Sequence, residues 1–128
     1  MSVALLKEMF ERMVVAKDAT LLATYYHHEF RMTSNGLDLE QGYDAFTAGH
    51  ERIYRTPISY AFRYDGQAWV ESADRVAGRM WVTTERPDTN ATEIEIVLIT
   101  TFKDGRIHRV WELTWPDWSR MKEFDDYA

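Results

Sequence analysis

The hydrophobic pattern splits the chain into two halves of different period. Leu6, Met9, Phe10, Met13 and Val14 recur at three- and four-residue steps, with Lys7, Glu8, Glu11 and Arg12 between them. That spacing predicts an amphipathic helix with one buried face. Asp18 is a good N-cap for a second, shorter helix carrying Leu21, Leu22, Tyr25 and Tyr26. Residues 30–33 read as a short strand, and Ser34-Asn35-Gly36 has turn chemistry, because Asn and Gly tolerate positive φ. A third helix follows. Asp38 with Gln41 three residues on resembles a capping box, Phe46, His50 and Ile53 then share one face, and Thr56-Pro57 ends the element.

The second half changes period. Residues 58–71, 75–86, 93–103 and 106–115 are rich in β-branched and aromatic side chains and read as strands. Asp104-Gly105 is a two-residue hairpin signal. Asp65-Gly66 fits either a second hairpin or a bulge that bends one long strand. The tail beyond Pro116 has the makings of a helical turn through Trp118 and Met121. Helices grouped before a run of strands predict an α+β domain with the helices on one face of the sheet.

Composition narrows the chemistry. The chain has 128 residues, which fits a single domain spanning 1–128 with one core. It has no cysteine, so a disulfide scaffold, a Cys-based zinc site and a Cys nucleophile are all excluded. A net charge of −6 argues against nucleic acid as the partner. The first residues carry charges among the apolar ones, and no apolar run approaches a membrane span, so the expectation is a cytoplasmic protein without a membrane partner. Aromatic residues make up 14% of the chain, enough both to fill a core and to line a pocket for a small apolar or aromatic molecule.

Three stretches carry a family resemblance. They are Tyr25-Tyr26-His27-His28-Glu29-Phe30 leading into Met32-Thr33-Ser34-Asn35-Gly36, then Gly42-Tyr43-Asp44-Ala45-Phe46, and the segment from Phe102-Lys103-Asp104-Gly105 to Val110-Trp111-Glu112. Together with the element order, they resemble the SnoaL-like branch of the NTF2-like (cystatin-like α+β cone) superfamily over nearly the whole chain. The resemblance implies three N-terminal helices packed on a strongly curved, mostly antiparallel sheet, with a pocket between the third helix and the concave face. It implies a homodimer through the sheet, and it favours a bend at Asp65-Gly66. No single reaction follows, because isomerases, dehydratases, epoxide hydrolases, cyclases and non-catalytic binders share the fold.

Glu112 is the first candidate for chemistry. It follows Trp111, where SnoaL-like cyclases carry an acidic acid/base residue after a Trp, with Glu here in place of Asp. Strict alternation groups it with His108 and Val110, opposite the more apolar set Ile107, Arg109, Trp111 and Leu113. Alternation therefore favours a solvent-facing Glu112, whereas the resemblance places it in the pocket. His50 is its candidate catalytic partner, from the apolar face of the third helix. Tyr26, His28, Asn35, Phe46 and Trp81 are the candidate ligand contacts. A metal would require His28, His50 and Glu112 to converge, and no spacing demands it, so neither metal nor other cofactor is expected. Residues 32–35 lack the acid that enolising isomerases of the superfamily carry there, and the first helix lacks their Tyr. Arg79-Met80-Trp81 has the Arg of the epoxide hydrolases without the acid two residues on.

Three readings follow. The first is a small-molecule-binding domain with no assignable reaction. The second is a cofactor-free isomerase, dehydratase, cyclase or hydrolase using Glu112. The third is a dimeric scaffold whose cavity is filled by its own side chains. A cavity of at least ~300 Å³ lined by Glu112 and His50 would favour either of the first two.

Overall fold

The computed structural model describes residues 2–38 and 42–122. The predicted first helix forms as α1, Ser2–Met9, and runs on through a wider π-helical turn, Phe10–Val15. Its apolar stripe is buried as expected, with Leu6, Met9 and Met13 almost wholly removed from solvent. The helix stops at Lys17, whose φ of 56° turns the chain, while the amides of Lys17 and Asp18 return to the carbonyls of Val14 and Met13. Lys17 Nζ reaches across to the carbonyls of Thr56, at 2.6 Å, and Ile58, at 2.8 Å. That contact ties the end of the first helix to the exit of the third.

Asp18 caps the next element as predicted, its carboxylate accepting the Thr20 N–H at 3.1 Å. A 3₁₀ turn, Ala19–Leu21, leads into the single-turn helix α2, Leu22–Tyr25. Tyr26 does not belong to that helix. It is the first residue of strand β1, Tyr26–Ser34, which is twice as long as local propensity suggests. Pairing with a distant strand extends it, an example of tertiary context deciding β structure. Asn35 and Gly36, with φ of 51° and 83°, form a two-residue turn to the short strand β2, Leu37–Asp38. Asp38 thus ends a strand, and its proposed capping partner Gln41 lies outside the described residues. Helix α3 spans Gly42–Tyr54 and buries Gly49, His50 and Ile53.

The remaining strands are β3 (Ser59–Tyr64), β4 (Val70–Glu71), β5 (Arg75–Glu85), β6 (Thr92–Lys103) and β7 (Arg106–Trp115). The sheet order is β2-β1-β7-β6-β5-β3, with β4 also paired to β5. All neighbours are antiparallel except β1 and β7. The fold is α+β, with three helices on a curved, unclosed mixed sheet. Both β3 and β4 pair with β5, so Asp65-Gly66 makes a bend and not a hairpin. The looped-out residues between them bring Trp69 directly onto Gly78 of β5, and a Cβ there would collide with the indole. Asp104 and Gly105, with φ of 54° and 73°, form the predicted tight hairpin. The tail makes a 3₁₀ turn, Trp118–Arg120.

One irregularity decides which side chains face the helices. Thr101 pairs with Arg109 but Phe102 pairs with Ile107, so β7 carries one extra residue, His108, against β6. This is a β-bulge. It shifts the alternation by one position, so Ile107 shares the inner face with Val110, Glu112 and Thr114. The grouping expected from strict alternation is therefore wrong on the N-terminal side of the bulge. Arg109, Trp111, Leu113 and Trp115 face outward.

Candidate functional site

The inner face of the sheet and the helices enclose a cavity of about 160 Å³. Leu6, Met9 and Phe10 line it from the first helix, Phe46, His50 and Tyr54 from α3, and Ile96, Leu98, Val110 and Glu112 from the sheet. It is about half the volume expected of a typical ligand site, yet close to the ~150 Å³ apolar cavity that holds a benzene ring. The cone is not filled by its own side chains.

Glu112 is half-buried, its carboxyl set into the largely apolar cavity wall. Its Oε2 accepts a hydrogen bond from Ser34 Oγ at 2.8 Å, and Ser34 Oγ in turn accepts one from Trp118 Nε1 at 2.7 Å. Register explains the first contact, because Ser34 and Glu112 are partners across the parallel β1–β7 pair. Burial penalises the carboxylate and raises the Glu112 pKa to about 7, against a smaller lowering from Ser34 and Trp118. The carboxyl is poised between acid and base near neutral pH.

His50 also lines the cavity, from one turn beyond Phe46, and its Nδ1 lies 2.8 Å from the Phe46 carbonyl. That carbonyl can only accept, so Nδ1 carries the proton and the neutral ring presents its lone pair at Nε2. Burial lowers its pKa to about 4, offset in part by the bond to Phe46. His50 is therefore neutral at physiological pH. The rings of Tyr26, Phe46, His50 and Tyr54 touch in sequence along α3, with successive centroids 5.1, 4.2 and 5.5 Å apart. Tyr26 and Phe46 stand on the cavity wall.

Three predicted ligand contacts are elsewhere. Trp81 faces outward, since Met80 and Val82 take the inner positions on β5. Its indole is held between Arg63, 3.8 Å from the ring centre, and Arg79, 4.4 Å away. Arg79 of the Arg79-Met80-Trp81 run also faces outward, bonded to Asp65 at 3.1 Å and Glu95 at 2.8 Å. His28 is exposed and stacked on His27. Asn35 braces the site from outside it. Its amide group exchanges two hydrogen bonds with Thr114, at 2.8 and 2.7 Å, and its backbone N–H donates to the Glu112 carbonyl at 2.9 Å.

The metal set His28, His50 and Glu112 is not brought together. A different group, His27, Glu29 and His108, places ligand atoms within 4.8 Å of one another at the bulge. Protein partners already engage two of the three. His27 Nδ1 accepts the Glu29 N–H at 3.0 Å, its Nε2 faces Asp104 at 3.3 Å, and Lys103 holds the Glu29 carboxylate at 2.8 Å. Sequence reasoning did not single out Ser34 as a partner of Glu112, nor Trp118 and Thr84 as wall residues. The parallel β1–β7 register that joins Ser34 to Glu112 has no local signal.

The two buried groups oppose one another in pH dependence. The folded-state pKa of Glu112 lies above its unfolded value, so its contribution is full below about pH 4.5 and is lost as pH rises through about 7. The folded-state pKa of His50 is depressed, so its contribution is present above about pH 6.5 and is lost as pH falls through about 4. Urea unfolding at a series of pH values separates them. The Glu112→Gln variant should gain stability relative to the native chain as pH rises from 4.5 to 7, by on the order of 3 kcal/mol in total. A difference that stays constant with pH would show that Glu112 is solvated.

The model of the SnoaL-like domain family matches residues 6–110. Solved structures with the same fold include TsrD from Streptomyces laurentii, at 20% identity and a TM-score of 0.69, covering 89% of this chain and 88% of that one. PrhC from Penicillium brasilianum NBRC 6234 gives 14% identity and a TM-score of 0.70, covering 88% and 78%. An LEH-like epoxide hydrolase from M. tuberculosis gives 10% and 0.69, covering 84% and 77%. No curated protein sequence matches the chain. At these identities the structural likeness concerns the fold, whereas the family model spans most of the chain: the protein belongs to the SnoaL-like domain family.

Proposed function

We propose that this protein binds a small apolar or aromatic molecule in the cavity between α3 and the inner face of the sheet. The observation that carries this reading is an apolar cavity of about 160 Å³ left open in an otherwise packed core. The volume suits one or two rings and not a large substrate. Benzene is a sufficient probe. At millimolar concentration it should raise the Tm by about 3 °C, and Val110→Phe, which fills the cavity, should abolish the shift. An unchanged Tm for the native chain would refute the reading.

A second reading, cofactor-free proton transfer, is favoured by Glu112 and its raised pKa in an apolar wall. Glu112 takes a proton from carbon or returns it to the product, and the neutral His50 and Tyr26 orient the substrate. A suitable probe is 5-nitrobenzisoxazole. Loss of its C3 proton to a carboxylate breaks the N–O bond and releases a cyanophenolate, with no other reactant. The expected rate rises with pH about a midpoint near 7 and falls at least ~100-fold in Glu112→Gln. Equal rates in the two proteins would remove the catalytic role.

The outer face of the sheet supports a homodimer. Val97, Ile99, Trp111, Leu113 and Trp115 are exposed there, and Leu113 and Ile99 face Val97 and Trp111 across the β6–β7 pair. The chain should sediment as a dimer at micromolar concentration, and the pair Ile99→Glu with Leu113→Glu as a monomer. A native monomer would overturn the assignment. No helix among the described residues is long and apolar enough to cross a membrane, and the absence of cysteine suits a cytoplasmic location.

A further inference from the structure

The cavity wall is apolar, yet it contains hydroxyls that the fold does not use. Thr84 Oγ1 and Tyr54 OH are buried and have no hydrogen-bond partner among the described residues. Thr84 is wholly buried, and both residues line the cavity. Native proteins rarely leave buried hydroxyls unpaired, and each case calls for a reason. Thr100 Oγ1 shares this state and also lines the cavity, but from β6 at the Glu112 end, where it pairs with Val76 and Val110 near the bulge.

Thr84 and Tyr54 stand at the same end of the cavity. Thr84 pairs with Tyr60 across β3 and β5, and the Tyr60 ring lies 6.2 Å from that of Tyr54 in an edge-on arrangement. Tyr54 is eight residues beyond Phe46 on α3, about 12 Å along the helix from the Tyr26–Phe46 contact. Glu112 lies toward the other end. Its partner on β6 is Leu98, which faces Gly78, six positions from Thr84 along β5. Between the two poles the sheet presents Val82, Ile94 and Ile96, whose side chains form no hydrogen bond.

We infer that Thr84 and Tyr54 form a hydrogen-bonding subsite for an oxygen substituent, a hydroxyl or a carbonyl, on the end of the ligand away from Glu112. The ligand is then a small ring compound with a polar group at that end and an apolar body. Each hydroxyl both donates and accepts. Burial holds the Tyr54 phenol in its protonated form, so it remains a donor at any working pH. The inference rests on the cavity being the binding site, and it adds a selectivity that an apolar cavity alone lacks.

The test compares 4-ethylphenol with 4-ethyltoluene by calorimetric titration of the whole chain. The phenol should bind about fivefold more tightly, the value of one net hydrogen bond. Thr84→Val and Tyr54→Phe should each bring that ratio toward one. Thr84→Val without ligand should melt higher than the native chain, because it removes an unpaired hydroxyl at nearly constant volume. A lower melting temperature would mean that the hydroxyl already has a protein partner, and would overturn the subsite. So would equal binding of the two probes, or a preference that survives both substitutions, and in those cases the cavity reading stands. Binding of neither probe overturns the subsite together with the cavity reading.

Discussion

The molecule depends on the pairing of β7 with two neighbours of opposite sense. On one side β7 runs antiparallel to β6, reached by a two-residue turn. On the other it runs parallel to β1, a strand some eighty residues earlier in the chain. The β1 contact closes the helical half of the protein onto the sheet, and it aligns Ser34 with Glu112. The antiparallel side carries the bulge at His108, which decides that Ile107, Val110, Glu112 and Thr114 look inward together. A strand with strict alternation would turn either Ile107 or Glu112 away from the cavity.

Burying a carboxyl in this wall has a cost that the surroundings only partly offset. Ser34 supplies one donor, and Trp118 supports Ser34 from the tail of the chain. Asn35 fixes the backbone from the Glu112 carbonyl to Thr114. The carboxyl is thus well held but weakly solvated, and that combination gives a proton affinity near neutrality. Structural convenience does not require such a residue in the middle of an apolar strand face, and Leu or Val there would fold with less conflict. The pairing of Glu112 with an open cavity is the strongest local sign of function.

Local chemistry carried much of the fold. The stripe of Leu6, Met9 and Met13, the cap at Asp18 and the turns at Asn35-Gly36 and Asp104-Gly105 were all readable, because each depends on neighbours within a few residues. The length of β1 and the helix-to-strand change at Tyr26 were not, because partners far along the chain set them, and at Asp65-Gly66 local chemistry left bend and hairpin open while the family resemblance favoured the bend. The site divides in the same way. His50 and Phe46 follow from helical spacing. Alternation read across an unseen bulge grouped Ile107 with the outward residues of β7. Trp81 looked like a cavity wall from its strand and its bulk. Its parity along β5 sends it outward, to be held between two guanidinium groups.

The outer face of the sheet is not uniform, and this constrains how two copies can meet. Its β3–β5 half is an ion network closed within one chain: Arg63 with Glu93, and Arg79 with Asp65 and Glu95, around the Trp81 ring. Beyond the β6 carboxylates Glu93 and Glu95, its β6–β7 side exposes Val97, Ile99, Trp111, Leu113 and Trp115. A two-fold axis maps a patch onto its own image. An axis through the charged half would set like guanidinium groups against each other and strip water from ion pairs already satisfied. An axis near the C-terminal part of β7 meets Val97, Ile99, Trp111, Leu113 and Trp115. In the proposed dimer the charged half would serve as an alignment key, narrowing the seatings of a second copy to those centred beside the strand that carries Glu112.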